Sequence, residues 1–295
     1  MTLLLSIDFE DWHQLVRRRV GAADWQQPGP ALARQTEASL ALLDELGVRA
    51  TFFILGMSAR AHPHLVQAIA ARGHEIGSHG DAHLAVHRQT SSEFAADLRA
   101  ARTTIEQLTG QTPVGYRAPA FSVSRESPWA YEVLADEGLS YDASQHDSPR
   151  IRNRLVAPSS SPHELGLSQG RRLWEFPVAV WRPRARSDAL VRIPVGGASY
   201  WSAMPTSLVL YGLERAGALA GLYLHPHELD PEPLRPALTG GATVPQRVHG
   251  RLRATQRNVA RRRAAAVLRA IASRHRLIPY GEAHAQLAGR PPVRP

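Results

Sequence analysis

Short apolar runs alternate with longer segments in which apolar positions recur every three or four residues, and this alternation persists through the first half of the chain. Residues 3–7 read as a first strand, and residues 31–46, with Leu40, Leu42, Leu43 and Leu46 apolar, as a helix ending at Gly47. A buried strand over 50–55, a short helix over 64–71 closed by Gly73, and a strand over 75–78 follow. Residues 91–108 form the clearest helix: Ser91 or Ser92 can cap it, Phe94, Leu98, Ile105 and Leu108 share one face, and Gly110 stops it. A strand over 114–117, a helix over 128–136 and a strand over 139–142 complete the series. Alternation of this kind predicts βα units on a mainly parallel sheet. The polar residues of interest fall at the C-terminal ends of the predicted strands, where an α/β barrel gathers its chemistry.

The second half is less regular. Residues 144–170, rich in Ser, Pro, His and Arg, read as a long surface loop. Strand character returns over 173–180 and 222–225, and 208–216 is helical. Gly196-Gly197, within 191–200, predicts a close backbone approach or a bulge. A long Arg/Ala helix is expected over 251–274, and a last short one opens at Tyr280. No repeat or low-complexity linker divides the 295 residues, so a single domain is expected.

Composition changes this picture in three places. Cysteine is absent, which removes disulfides, thiolate metal sites and cysteine nucleophiles. The first residues carry no basic leader, and their apolar run is too short for a signal peptide or a span, so the expectation is a cytoplasmic protein. The net charge of +9 is concentrated at one end: from Gln246 onward there are twelve Arg and one acid (Glu282), or +11, which leaves −2 for residues 1–245. All 35 basic residues are Arg, and no aromatic residues interleave the basic run, which argues against nucleic acid. A solvated helix, or peripheral contact with an anionic membrane surface, fits the segment better.

Candidate chemistry begins with His79-Gly80-Asp81-Ala82-His83. Two imidazoles four positions apart can close on one divalent ion, and Gly80 and Asp81 place them on a loop leaving a strand rather than on a helix. At the end of the first strand stand three carboxylates, Asp8, Glu10 and Asp11. Crowded carboxylates repel one another unless a cation lies between them. Glu10 is favoured as a ligand because Asp8 and Glu10, two apart on a strand, point the same way; Asp11 remains open if the strand has already turned. The HExxH pattern of zinc peptidases is absent.

Five segments can be read together in order: Ile7-Asp8-Phe9-Glu10-Asp11-Trp12, Ser78-His79-Gly80-Asp81-Ala82-His83, Gly115-Tyr116-Arg117-Ala118-Pro119-Ala120-Phe121-Ser122, Tyr141-Asp142-Ala143-Ser144 and Tyr223-Leu224-His225-Pro226-His227-Glu228-Leu229-Asp230-Pro231. Together they resemble the polysaccharide deacetylase family (NodB-homology, carbohydrate esterase family 4), closest to its exosortase- and exopolysaccharide-associated branch. The resemblance covers nearly the whole chain. It implies a distorted (β/α) barrel in one domain, with residues from about 147 to 295 including a family-specific C-terminal extension packed on the barrel.

It also implies roles. Asp8 resembles the general base, Arg117 its charge partner, and His225 the general acid, with Asp142 orienting it. His79, His83 and one of Glu10 or Asp11 resemble the ligands of a divalent metal, zinc foremost; cobalt and nickel suit the same donors. The implied reaction is hydrolysis of N-acetyl or O-acetyl groups on an acetylated glycan. Two rival implications are an allantoinase-like hydrolase of another C–N bond and a carbohydrate-binding relative without catalysis. His227, two positions after His225, is the unassigned histidine expected nearest the site.

Overall fold

The computed structural model describes residues 1–147, 159–183, 191–236, 238 and 242–289. Its first strand is β1 (Thr2–Phe9), buried from Leu3 onward. A strand covered on both faces needs apolar residues at successive positions rather than alternate ones, which explains the unbroken Leu3-Leu4-Leu5 run. Helices α1 (Trp12–Arg19) and α2 (Leu32–Leu46) follow, then β2 (Thr51–Ile54), α3 (Gly56–Ala61), α4 (Pro63–Ala71) and β3 (Glu75–Ser78). Next come α5 (Ser91–Thr109), β4 (Gly115–Tyr116), α6 (Ala130–Asp136), β5 (Tyr141–Asp142), β6 (His163–Gly166) and β7 (Arg172–Glu175). The remainder contains the β8 (Val180–Trp181) and β9 (Ile193–Pro194) pair, α7 (Ala198–Trp201), α8 (Thr206–Ala216), β10 (Gly221–Leu224), α9 (Val244–Arg261), α10 (Ala264–Ala272), β11 (Arg276–Ile278) and α11 (Tyr280–Leu287).

The main sheet runs β10-β1-β2-β3-β4-β5-β7-β6, parallel throughout except for β6, which is antiparallel to β7. β11 lies end to end with β2 on the same edge of β1: Thr2–Leu4 pair with Arg276–Ile278, and Ser6–Phe9 pair with Thr51–Ile54. The sheet closes irregularly. Chain leaving β7 meets the start of β10, where Gly221 N donates to Pro177 O (3.1 Å) and Ala179 N donates to Gly221 O (2.9 Å). This is a distorted α/β barrel, with Leu3, Leu5, Ile7, Phe52, Ile54 and Leu222 among the core between sheet and helices.

The Gly196-Gly197 pair is a close backbone approach: a Cβ on Gly196 would lie 2.5 Å from Gly221 O. Several expectations need correction. Thr90, not Ser91 or Ser92, caps α5, in a reciprocal box with Glu93. The expected helix over 251–274 is two helices, α9 and α10, broken around Arg262 and Arg263, and it begins at Val244 behind a Thr243–Gln246 capping box. The loop over 144–170 contains β6, whose half-exposed edge position leaves little apolar signal; residues 148–158 of that loop lie outside the described residues. Helices α1 and α3 and strand β11 had no expectation. Among the described residues no helix is long and apolar enough to cross a membrane.

Candidate active site

Strand ends carry the site. β1 delivers Asp8, and a tight turn in which Glu10 N donates to Asp8 O (3.0 Å) brings Glu10 to the same mouth. Asp11, the alternative ligand, is committed elsewhere. Its carboxylate caps α1, accepting His13 N at 2.8 Å and Gly29 N at 2.5 Å, so its oxygens face backbone donors and not the histidines. Glu10 is the carboxylate beside the histidines, its Oε2 lying 2.9 Å from His83 Nε2 and 3.5 Å from His79 Nε2.

These three side chains meet the requirements of a divalent-cation site. One nitrogen or oxygen from each lies within 4.8 Å of the others, and Glu10 and His79 are buried. His79 Nδ1 lies 2.8 Å from Arg117 O. A carbonyl only accepts, so Nδ1 carries the proton and the Nε2 lone pair faces Glu10; a second hydrogen bond of this kind fixes a metal-binding tautomer. Burial pushes the Glu10 carboxyl up, but His83, His225 and His79 overcome it and hold the group well below the usual carboxylate range.

The loop bearing His83 is held from three sides. Asp97 on α5 accepts Asp81 N (2.9 Å) and Ala82 N (3.1 Å), Arg60 forks onto Asp81 (2.6 and 2.9 Å), and Arg18 on α1 donates to Ala82 O (2.9 Å) and His83 O (3.1 Å). His83 has φ 52°, a left-handed conformation that costs a non-glycine residue energy.

Beside this set, Arg117 is completely buried. It donates to Asp8 Oδ1 (2.8 Å), Tyr280 OH (2.9 Å), Ala143 O (3.0 Å) and Ser6 Oγ, and lies 4.3 Å over the Phe53 ring. Burial disfavours its charge, but Asp8 and Tyr280 more than restore it and raise the pKa above the ordinary value.

His225, at the end of β10, has Nε2 3.5 Å from Glu10 Oε1, while its Nδ1 faces Glu228 Oε2 at 3.1 Å. The same Glu228 oxygen accepts His225 N at 2.9 Å. Burial opposes the imidazolium, but Glu228 and Glu10 raise the His225 pKa to about 9. Burial would likewise raise Glu228, which its histidine partner instead lowers to about 2. His227 lies against His225, ring centroids 5.2 Å apart, and burial drops it to about 3. Asp142 does not stand at His225. Its Oδ1 accepts Ser144 Oγ (2.5 Å), and it pairs with Glu175; burial pushes both of these carboxyls up. The carboxylate at His225 Nδ1 is Glu228, which had no expected role. Its signal in the sequence is spacing: after His225-Pro226, the third position turns back onto the histidine as a capping box.

Residues 28–137 match the family model for polysaccharide deacetylase. Over that segment the chain is similar to the polysaccharide deacetylase family. Residues 148–273 match a domain of unknown function. A peptidoglycan deacetylase-like protein of Gibberella zeae is 33% identical over 160 residues, 52% of this chain and 44% of that protein. The peptidoglycan-N-acetylglucosamine deacetylase of Bacillus cereus is 32% identical over 95 residues, 31% of this chain and 34% of that enzyme. The chain thus matches less than half the length of these relatives. A Mycobacterium smegmatis structure classed with polysaccharide deacetylases superposes with TM-score 0.59 at 19% identity, covering 99% of this chain and 94% of the other. An allantoinase superposes with TM-score 0.58 at 16% identity, covering 99% and 91%. At these identities the two structures speak to the fold.

Proposed function

We propose that this chain is an active, metal-dependent hydrolase that removes acetyl groups, N-acetyl first, from a glycan. The observation that carries the reading is the convergence, at one barrel mouth, of the Glu10–His79–His83 set, the Asp8–Arg117 pair and the His225–Glu228 pair. A divalent cation held by Glu10, His79 and His83 would supply Lewis-acid charge, acidifying water and polarising the acetyl carbonyl. Asp8 accepts the proton of the attacking water, held in place by Arg117. As the C–O bond forms and the C–N bond breaks, the Nε2 proton of His225 goes to the departing nitrogen, giving acetate and a free amine. Glu228 acts as a positioning residue: by receiving the Nδ1 proton side of the ring, it turns Nε2 toward the mouth. Zinc suits two imidazoles and a carboxylate, as do cobalt and nickel.

The test pairs elemental analysis with acetate release from N-acetylated oligosaccharides. Stoichiometric metal lost in His79→Ala and His83→Ala, together with loss of acetate release, supports the reading. A metal-loaded wild type that frees no acetate from any N- or O-acetylated glycan would transfer support to hydrolysis of another C–N bond, the chemistry named for the allantoinase of similar fold.

A further inference from the structure

Helix α9 presents to solvent a face that a purely solvated helix would not carry. Val244 is 73% exposed, Val248 51%, Leu252 65% and Val259 52%. At about 100° per residue these four fall within roughly one quarter of the helix circumference. Arg247, Arg251 and Arg262 are exposed beside them, and Val244–Arg261 contains no acid. On the opposite side Gly250 and Ala254 are buried, Ala254 packing with Trp12, Val16 and Leu234. No acid on the helix offsets these cations.

We propose that this face of α9 docks on an anionic lipid surface, with the four aliphatic side chains entering the headgroup boundary and the arginines meeting lipid phosphates. An aliphatic stripe rimmed by arginine is the pattern of an interfacial helix. Nucleic acid would leave the stripe uncovered, since no aromatic residue stands on the helix to stack on bases. A protein partner would be expected to find aromatic anchors, which are also absent from the helix. Docking holds the catalytic mouth near that surface, because the side of α9 turned away from the stripe packs on the elements of the site. Arg261, at the end of α9, donates to His227 O (3.4 Å) and to Asp230 O, while the buried side of the helix packs on α1, the helix capped by Asp11. The substrate inferred is therefore a glycan presented at a membrane, such as one linked to lipid; this clause rests on the deacetylase reading, whereas the docking does not.

The experiment is flotation of the full chain with vesicles of phosphatidylcholine alone or with phosphatidylglycerol, at low and high salt. Expected are flotation only with the anionic vesicles, loss at high salt, and a fall of about fivefold in partitioning for Arg251→Gln. Leu252→Glu and Val248→Glu should abolish flotation while leaving circular dichroism, melting temperature and acetate release from a soluble oligosaccharide unchanged. Absence of flotation at low salt overturns the proposal. So does self-association seen by sedimentation and removed by Leu252→Glu without vesicle binding, which would assign the face to a second copy of the chain. If flotation holds but no acetylated glycan is cleaved, the docking stands and the deacetylase reading alone falls.

Discussion

One carboxylate oxygen, Oε2 of Glu228, holds both the ring and the main chain of His225, accepting at 3.1 Å from Nδ1 and at 2.9 Å from the backbone N–H. Loss of an outer partner to a working imidazole typically costs about 10–100-fold. For Glu228→Gln we expect kcat on an N-acetyl substrate to drop by about that factor while metal content is unchanged. The defect should be milder on an acetyl ester, whose leaving alcohol needs less help from an acid than an amine does. Equal losses on amide and ester, measured side by side, would show that Glu228 does not act through His225.

Glu10 and Asp11 should respond oppositely to loss of charge. Glu10→Gln is expected to weaken zinc binding by about 10-fold or more in a calorimetric titration. Asp11→Asn should bind zinc as wild type but lose up to about 2 kcal/mol of stability, the value of a helix cap with a buried acceptor. A zinc defect confined to Asp11→Asn would reverse the assignment.

Arg117→Ala leaves the buried Asp8 carboxylate, Ser6 and Tyr280 without their common donor. Removal of one member of a buried ion pair costs about 3–5 kcal/mol. Urea unfolding should register a loss of that size, with activity gone; a loss under about 1 kcal/mol would contradict the packing described for this guanidinium.

His146 is fully enclosed by Phe121, Tyr200 and Tyr223, and burial lowers its pKa to about 3. A histidine depressed in the fold binds its proton on unfolding, so the stability it permits is present above about pH 6.5 and declines as the pH falls toward 3. The expected slope is about 1.4 kcal/mol per pH unit between roughly pH 6 and pH 4. His146→Leu should flatten the acid limb of a stability profile by that amount, and an unchanged limb in chemical denaturation would refute the assignment.

The parts legible in the sequence were those that depend on local pattern. The apolar runs at residues 3–7 and 50–55 mark strands because strands covered on both faces need nothing else, and the ligands and acids lie at strand ends because only there does a parallel barrel open. What could not be read depends on partners far apart in sequence. The commitment of Asp11 becomes visible only when Gly29 returns to it, and that of Asp142 only beside Glu175, 33 positions later (175 − 142). Glu228 was written three residues from His225, but its role depends on the turn made after Pro226. The aliphatic face of α9 depends on where the helix starts, because Val244 and Val248 join Leu252 and Val259 on one side only when the helix begins at Val244.

His83 adds a consequence of its own. Its φ of 52° is held by Arg18 at the carbonyls of residues 82 and 83 and by Asp97 at the preceding amides. The conformational cost is therefore met during folding, before any cation arrives. A ligand loop set in this way has little to rearrange, so cation uptake should be fast and nearly free of structural change. The metal-free and metal-loaded protein should then show almost identical amide hydrogen exchange across residues 79–84, and selectivity among zinc, cobalt and nickel should follow how well each ion accepts a preset frame rather than how far the loop can adapt to it.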